Sequence, residues 1–263
     1  MNETKNSTPL LISTGVLLLI MGALLMYVFM PQSVVEVSVV TEESIDPDGV
    51  VSALVEAPVE YMPPTPVAID AIALPTPDVV GTMPVAAALA ERRSNRAYSD
   101  APVRLADLSQ MLWAGIGVSD NELGLRTAPS RGEANPIGYY VVVDRVEGIE
   151  PGLYHYLPET HELELILVGD QRGVWESITG QPHPKNAAVT LLVTANMARG
   201  EGYRETTFQE SGHVGQNLYL QATELGLSML VMGGFSRADA AAYLGLDEYH
   251  HVVYLVPIGN PDE

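Results

Sequence analysis

An uninterrupted apolar run near the N-terminus limits what the first part of this 263-residue chain can fold into. Leu10 to Met30 contains no charged residue, and a helix of this length spans about 30 Å, the thickness of a bilayer core. A helix in a soluble core would show a polar face, and a signal peptide would have a shorter apolar stretch. The run therefore predicts a single-pass transmembrane anchor at residues 10–30, after a tail at residues 1–9.

The residues around this run indicate how the chain crosses the membrane. Lys5 precedes the run and no Lys or Arg follows it until Arg92, so the positive-inside rule places the rest of the chain on the extracytoplasmic side. Residues 31–80 are rich in proline and acidic residues and contain no basic one. Because proline lacks the N–H that a helix needs, we expect an extended acidic linker, followed by a folded domain at residues 81–263.

The charge and the composition of the chain exclude several classes of partner. There are 33 acidic and 13 basic residues, giving a formal net charge of -20, so we expect no nucleic acid partner, whose phosphates need basic surface. The absence of cysteine excludes disulfides, thiolate nucleophiles and cysteine-ligated metals. The six histidines do not show a metal-binding spacing, and we expect no metal site.

Hydrophobic periodicity in residues 81–263 indicates helices mixed with strands. Helices are predicted at 84–93, 105–118, 210–227 and 236–246, strands at 138–146, 187–197, 228–235 and 250–261, and a hairpin over 152–167. Gly226 is expected to end the long helix and Ser236 to cap the last one. Because helices and strands do not alternate regularly, the sequence predicts an α+β domain.

Three of the 13 basic residues, Arg92, Arg93 and Arg96, fall within the segment "ERRSNRAYSD". They follow a predicted helix, so one interpretation is a solvated helix end whose dipole they complement. The other is a phosphate site, because guanidinium groups match phosphate oxygens in pairs and Ser94 adds a neutral donor. Clustered positive charge in an acidic chain attracts an anion, and the residues alone leave both interpretations open.

Two other segments read as loops. In "RTAPSRGEANPIGYY" (126–140), exposed backbone N–H groups with Ser130 and Asn135 suit the edge of a flat heteroaromatic ring. In "VMGGF" (231–235), two glycines after an apolar strand let another group approach the backbone closely. Each segment is also compatible with an ordinary surface loop or turn.

The order of these segments resembles that of the nitroreductase-like flavoproteins, and more narrowly of the SagB/ThcOx-type dehydrogenases. The matching features are R-R-S-x-R after a short helix, the Pro-Ser loop, "GHVGQNLYLQATELGL" running into "GGF", and a terminal "VPIGNP". "PGLYHYLPETHELELI" fits the hairpin of that branch, and the resemblance covers residues 82–262. It implies a nitroreductase-like fold, with a mixed, mainly antiparallel sheet flanked by helices, in a homodimer that binds FMN between its subunits.

The resemblance also implies roles for individual residues. The phosphate and ribityl end of FMN would be held by Arg92, Ser94 and Arg96, with Arg93 as a fourth contact. The isoalloxazine ring would be lined by Pro129, Ser130 and Asn135, and bonded near N5 by the backbone of Gly233 and Gly234. Arg131 departs from the family pattern, because small residues are common at this position, and it would suit a substrate carboxylate. The roles of Gln216 and Asn217 stay open: they match the family's amide pair, but such amides also brace helix interfaces.

The activity implied by the resemblance is ping-pong hydride transfer through flavin N5, by a membrane-anchored FMN-dependent oxidoreductase. NAD(P)H is one candidate electron donor, and a small-molecule substrate or electron acceptor completes the cycle. Candidates for proton handling or substrate contact are Tyr203, Arg204, Glu210 and His213, each of which also suits a structural role; His213, next to Val214, suits a core histidine. The alternatives are a membrane-tethered, non-catalytic flavin-binding or interaction module, and a structural membrane protein that binds no flavin.

Overall fold

The computed structural model describes residues 71–198 and 204–262, together with the backbone of two short strands. These strands, β1 (Ser44–Ile45) and β2 (Val51–Ser52), pair with each other in antiparallel fashion. The predicted anchor at residues 10–30 lies outside the described residues, as does most of the predicted linker. Among the residues that are described, no helix combines the length and the hydropathy needed to cross a membrane.

A seven-stranded antiparallel sheet forms the centre of the domain. The remaining strands are β3 (Ile72–Ala73), β4 (Val118–Asp120), β5 (Leu125–Arg126), β6 (Ile137–Val143), β7 (Gly152–Leu157), β8 (Glu162–Val168), β9 (Val189–Asn196), β10 (Ser228–Met229) and β11 (His250–Gly259). The order in the sheet is β10-β11-β9-β6-β7-β8-β3, and each neighbouring pair is antiparallel. Strands β4 and β5 form a separate small hairpin.

Helices cover both faces of this sheet. They are α1 (Val85–Glu91), α2 (Leu105–Ile116), α3 (Arg172–Thr179), α4 (His183–Asn186), α5 (Arg204–Leu225) and α6 (Arg237–Leu244). Because successive side chains of a strand point to opposite faces, Leu191 packs with Leu218 of α5, whereas Leu192 packs with Trp175 of α3. Complete burial of one such leucine stabilises the fold by about 1.5–3 kcal/mol.

These elements confirm the α+β prediction and most predicted positions. Gly226 follows α5 with φ +69°, a left-handed conformation that glycine adopts without strain. Ser236 caps α6, where its hydroxyl accepts the N–H of Asp239 at 3.3 Å. Helices α3 and α4 were not predicted: α4 has four residues, and α3 is fixed by the packing of Trp175 against Tyr243, with ring centres 5.2 Å apart.

The sheet differs from the sequence prediction at two places. It begins before residue 81, because Ile72 pairs with Leu163 and makes β3 the edge strand beside β8. A strand of two residues, Ile72 and Ala73, is too short to show a periodic pattern, and prolines follow it. The sequence therefore does not predict β3, and only its pairing with β8 reveals it. The strand predicted at 228–235 is shorter, with Ser228–Met229 in β10 and Met232 in an isolated bridge to Leu255.

Candidate functional site

The arginine segment (residues 92–96) directly follows α1 and contacts the long helix α5. Arg92 stands at the C-terminal end of α1, and its guanidinium carbon lies 4.9 Å from the centre of the Tyr219 ring. Ser94 Oγ lies 2.7 Å from the hydroxyl oxygen of the same tyrosine. One side chain of α5 therefore holds two residues of the segment, and no local sequence pattern predicts this contact.

The charges of the arginine segment have no carboxylate partners in the described part of the chain. Arg92, Arg93 and Arg96 form no ion pair there, whereas Arg104 pairs with Asp107. The Arg93 guanidinium donates to the carbonyls of residues 90 and 92 at 3.0 and 2.7 Å, which is the helix-end role. Arg96 makes one 3.3 Å hydrogen bond, to the carbonyl of residue 94. Arg92 and Arg96 therefore keep most of their donors available for an anion.

Tyr219 also connects the arginine segment with the strand that leads to the glycine pair. Its hydroxyl oxygen accepts the N–H of Val231 at 3.0 Å, two residues before Gly233. A second link is the hydrogen bond from the N–H of Asn95 to the carbonyl of Met229, at 2.9 Å. The segment and the glycine pair, predicted from separate parts of the sequence, are therefore neighbours in the fold.

Gly233 and Gly234 are exposed, and a side chain at either position would meet nothing within 4 Å. Their carbonyl oxygens are occupied, because Arg237 donates to Gly233 at 3.2 Å and Gln181 donates to Gly234 at 3.4 Å. Their N–H groups donate to no acceptor in the described ranges. Two adjacent backbone donors are thus available to a ligand.

His183 is a residue of this region that the sequence analysis missed. Burial, with a smaller contribution from the positive charge of Arg96, lowers the pKa of the His183 imidazole. The imidazole is therefore within electrostatic reach of the arginine segment, and Gln181, two residues earlier, reaches Gly234. No motif marks His183 in the sequence. Its relation to the arginine segment appears only in the fold, because helix α4 and this segment are distant along the chain.

The loop that contains Pro129, Ser130 and Asn135 is held by a buried carboxylate. Glu210 of α5 accepts the Ser130 hydroxyl at 3.0 Å and the N–H of Arg131 at 2.8 Å. Ser130 Oγ in turn accepts the N–H of Asn135 at 2.8 Å, while Pro129 is exposed. The geometry gives Glu210 a structural role and commits the Ser130 hydroxyl to the loop itself.

No hydrogen bond or ion pair joins this loop to the arginine segment within the described part of one chain. The structure thus brings together the arginine segment and the glycine pair, which Tyr219 connects. The third predicted part of the site, the loop with Pro129, Ser130 and Asn135, shares no hydrogen bond with either of them in the described residues.

Comparison with known proteins identifies the fold that carries this arrangement. The family model described as the Nitroreductase family matches residues 89–260, which is most of the chain. This chain belongs to the nitroreductase family. The nitroreductase homologue MJ1384 of Methanocaldococcus jannaschii is 37% identical over 184 residues, covering 66% of this chain and 90% of that protein. A nitroreductase structure from Ralstonia eutropha JMP134 has a TM-score of 0.65 at 33% identity, covering 79% of this chain and 98% of the other.

Two further members of the comparison are more distant. The microcin B17-processing protein McbC of Escherichia coli is 27% identical over 135 residues, so the match covers 47% of this chain and about half, 49%, of McbC. A nitroreductase from Desulfovibrio desulfuricans, solved in complex with FMN, has a TM-score of 0.50 at 24% identity. That match covers 69% of this chain and 88% of the other, and it supports the fold alone.

Three of the remaining predicted residues of this nitroreductase-family chain, Arg204, Glu210 and His213, lie on α5. Tyr203 is outside the described residues, and Arg204 is exposed, with its guanidinium carbon 5.9 Å from the ring centre of Phe208. His213 is exposed, so the core-histidine interpretation was wrong. The reason is helical geometry, because each residue turns the helix by about 100° and His213 points away from the buried face that Val214 shares with Leu218.

The amide pair of α5 divides between two environments. Asn217 donates to the carbonyls of Ala114 and Thr127, at 3.2 and 3.3 Å. This side chain therefore braces α5 against the end of α2, the structural alternative that the sequence left open. Gln216, the neighbouring residue, is exposed.

Proposed function

We propose that this protein is an FMN-dependent oxidoreductase of the SagB-type dehydrogenase branch of the nitroreductase family. The observation that carries the proposal is the presence of Arg92 and Arg96, without carboxylate partners in the described chain, beside Ser94. A phosphate monoester carries nearly two negative charges, and guanidinium groups bind its oxygens in pairs. In a protein of net charge -20, this donor set fits the phosphate end of FMN.

The glycine pair fits the other end of the same cofactor. The N–H groups of Gly233 and Gly234 are exposed and would donate to the flavin ring near N5. FMN, when bound, supplies hydride transfer at N5. Arg96 would add positive charge near the phosphate, which favours an anionic ligand there.

We propose that the working form is a homodimer in which each subunit completes the other's site. Within the described part of one chain, the loop at residues 129–135 forms no hydrogen bond with the arginine segment. One face of α5 is exposed, including Phe208, whose side chain is 41% exposed. A two-fold interface across this face would cover that ring and present both loops symmetrically.

Three parts of the proposal concern the branch, the membrane and the electron donor. The McbC match and the 152–167 hairpin support the SagB-type branch, while the processing activity named for McbC is not transferred. The uncharged run at residues 10–30 supports a membrane anchor with an extracytoplasmic domain. On that side NAD(P)H is scarce, so a membrane quinol is a second electron donor to test beside NAD(P)H.

The first test is to purify the full-length chain without added flavin and to record its visible spectrum and its molar mass. The expected result is a dimer with flavin absorbance that denaturation releases as FMN. Arg92→Ala and Arg96→Ala should each lose FMN, whereas Arg93→Ala, a matched control that removes only the helix-end contacts, should retain it. A colourless chain that binds no added FMN would contradict the proposal.

Turnover separates the enzyme from a non-catalytic flavin-binding module. The flavin-loaded protein should be reduced by NADH, NADPH or a quinol and reoxidised by an acceptor through many cycles. A flavin that stays in one oxidation state with every donor and acceptor would favour the module.

A further inference from the structure

The Tyr219 hydroxyl occupies the junction between the arginine segment and the strand that leads to the glycine pair. Its oxygen lies 2.7 Å from Ser94 Oγ and 3.0 Å from the backbone nitrogen of Val231. The ring below it carries the Arg92 guanidinium at 4.9 Å. This side chain and the hydrogen bond from Asn95 to Met229 thus hold the arginine segment next to the strand that leads to the glycine pair.

The acidity of the two hydroxyls favours one direction for these bonds. A backbone N–H can only donate, so the Tyr219 oxygen accepts from Val231. Either hydroxyl could donate in the contact between Ser94 and Tyr219, but a phenolic O–H is the more acidic donor, and the Val231 N–H polarises it further. Tyr219 is therefore assigned as the donor to Ser94. The hydroxyl hydrogen of Ser94 then remains unused.

The resulting series of hydrogen bonds runs from the Val231 N–H through the Tyr219 hydroxyl to the Ser94 hydroxyl. Successive hydrogen bonds of one direction polarise each other, so the last hydroxyl is a stronger donor than an isolated serine. The Arg92 guanidinium packs against the ring of the same tyrosine, with its carbon 4.9 Å from the ring centre. An anion at this position would receive an oriented O–H donor together with a positive charge.

We propose that Tyr219 is a positioning residue that orients the Ser94 hydroxyl toward the phosphate of FMN. The inference rests on the proposed FMN site and deepens it, because it assigns to Tyr219 the ability to distinguish FMN from riboflavin. Riboflavin has the same ring and ribityl chain but lacks the phosphate. Removal of the tyrosine hydroxyl should therefore weaken FMN binding and leave riboflavin binding nearly unchanged.

The test compares the affinities of FMN and riboflavin for the flavin-free full-length chain, measured by quenching of flavin fluorescence. Tyr219→Phe keeps the ring under Arg92 and should lower the preference for FMN over riboflavin by about tenfold. Ser94→Ala should lower it at least as much, and the double variant should lose no more than Ser94→Ala, because both act through one hydroxyl. Tyr154→Phe is the matched control, since it removes a buried hydroxyl bonded to the Glu150 carbonyl at 2.7 Å, and it should keep the preference.

Each outcome separates this inference from the proposed function. A wild-type chain that binds neither flavin would overturn both. A clear preference for FMN in wild type that persists in Tyr219→Phe would overturn the inference alone. Equal losses of FMN and riboflavin in Tyr219→Phe would show a merely structural tyrosine and also reject it. If Tyr219→Phe fails to fold, an unchanged preference in Ser94→Ala rejects the inference instead.

Discussion

Ser109 Oγ lies 2.7 Å from Nε2 of His161, and both groups contact the carbonyl oxygen of Pro75. The Tyr156 hydroxyl lies 2.8 Å from the other ring nitrogen of His161. This cluster fastens the N-terminal strap (residues 72–82), which runs from the edge of the sheet across α2 and α5 to α1. The strap therefore connects the preceding chain with the helix that carries the arginine segment.

Removal of the strap should destabilise the domain, although the sequence analysis assigned nearly all of it to the linker. Asp78 exchanges two hydrogen bonds with the Gln110 side chain, at 2.8 and 2.9 Å, and the N–H of Leu74 donates to the carbonyl of His161 at 3.1 Å. A chain that starts at residue 81 should lose at least about 2 kcal/mol relative to one that starts at residue 71. Thermal unfolding should show a Tm lower by roughly 4–8 °C. Equal Tm values would mean that the strap contributes nothing.

The His161 cluster should make stability depend on pH. Burial lowers the pKa of His161, because a charged imidazole would lose hydration. The unfolded chain therefore binds the proton more readily, and the free energy of unfolding should fall as pH drops below about 6.5. His155 and His183, whose pKa values burial also lowers, add to this slope with the same sign.

His161→Asn isolates the contribution of this histidine, and asparagine tolerates the φ of +56° found here. The variant should lose about 1–2 kcal/mol at pH 8 through the missing hydrogen bonds, and the loss should shrink as pH falls. Chemical unfolding from pH 5 to pH 8 measures both quantities. A variant with the wild-type slope would show that His161 does not carry the pH dependence.

Glu210 should matter for the loop rather than for proton transfer. Glu210→Gln replaces one of the two acceptor oxygens by an NH2 group, which can only donate. The glutamine therefore cannot keep both hydrogen bonds, the one from the Ser130 hydroxyl and the one from the N–H of Arg131. We expect a loss of about 1–3 kcal/mol in unfolding free energy and faster hydrogen exchange in the loop. The control, Glu176→Gln, alters a carboxylate that forms a surface ion pair with Lys185 and should change stability by less than about 1 kcal/mol. Full stability with abolished turnover would instead assign Glu210 to catalysis.

Gly115 and Tyr139 should be coupled through close packing. A Cβ at Gly115 would lie 1.9 Å from the Tyr139 hydroxyl oxygen, which is buried and has no partner in the described residues. Gly115→Ala should cost about 1–3 kcal/mol, whereas Tyr139→Phe should be neutral or stabilising. The double variant should recover part of the loss, because the phenylalanine removes the colliding atom. Additive effects in equilibrium unfolding would contradict this packing.

Sequence alone determined those features that short segments encode. Continuous apolar runs located strands β9 and β11, which are buried on both faces, and helical periodicity located helix α5. Ser236 and Gly226 marked helix ends, since their caps use bonds and backbone angles within a few residues. The concentration of arginines in an acidic chain was compatible with an anion site and with a helix end, and the sequence alone left both interpretations open.

Tertiary structure decided what each of these residues does. Arg93 caps its own helix while Arg92 stacks on Tyr219, a distinction that three arginines in one short segment cannot show. The pairing of β3, the approach of His183 to Arg96, and the commitment of Ser130 to Glu210 likewise depend on partners far away in sequence. The physical reason is the range of the interactions: caps and periodicity act within one element, whereas a free donor is defined by every group that packs around it.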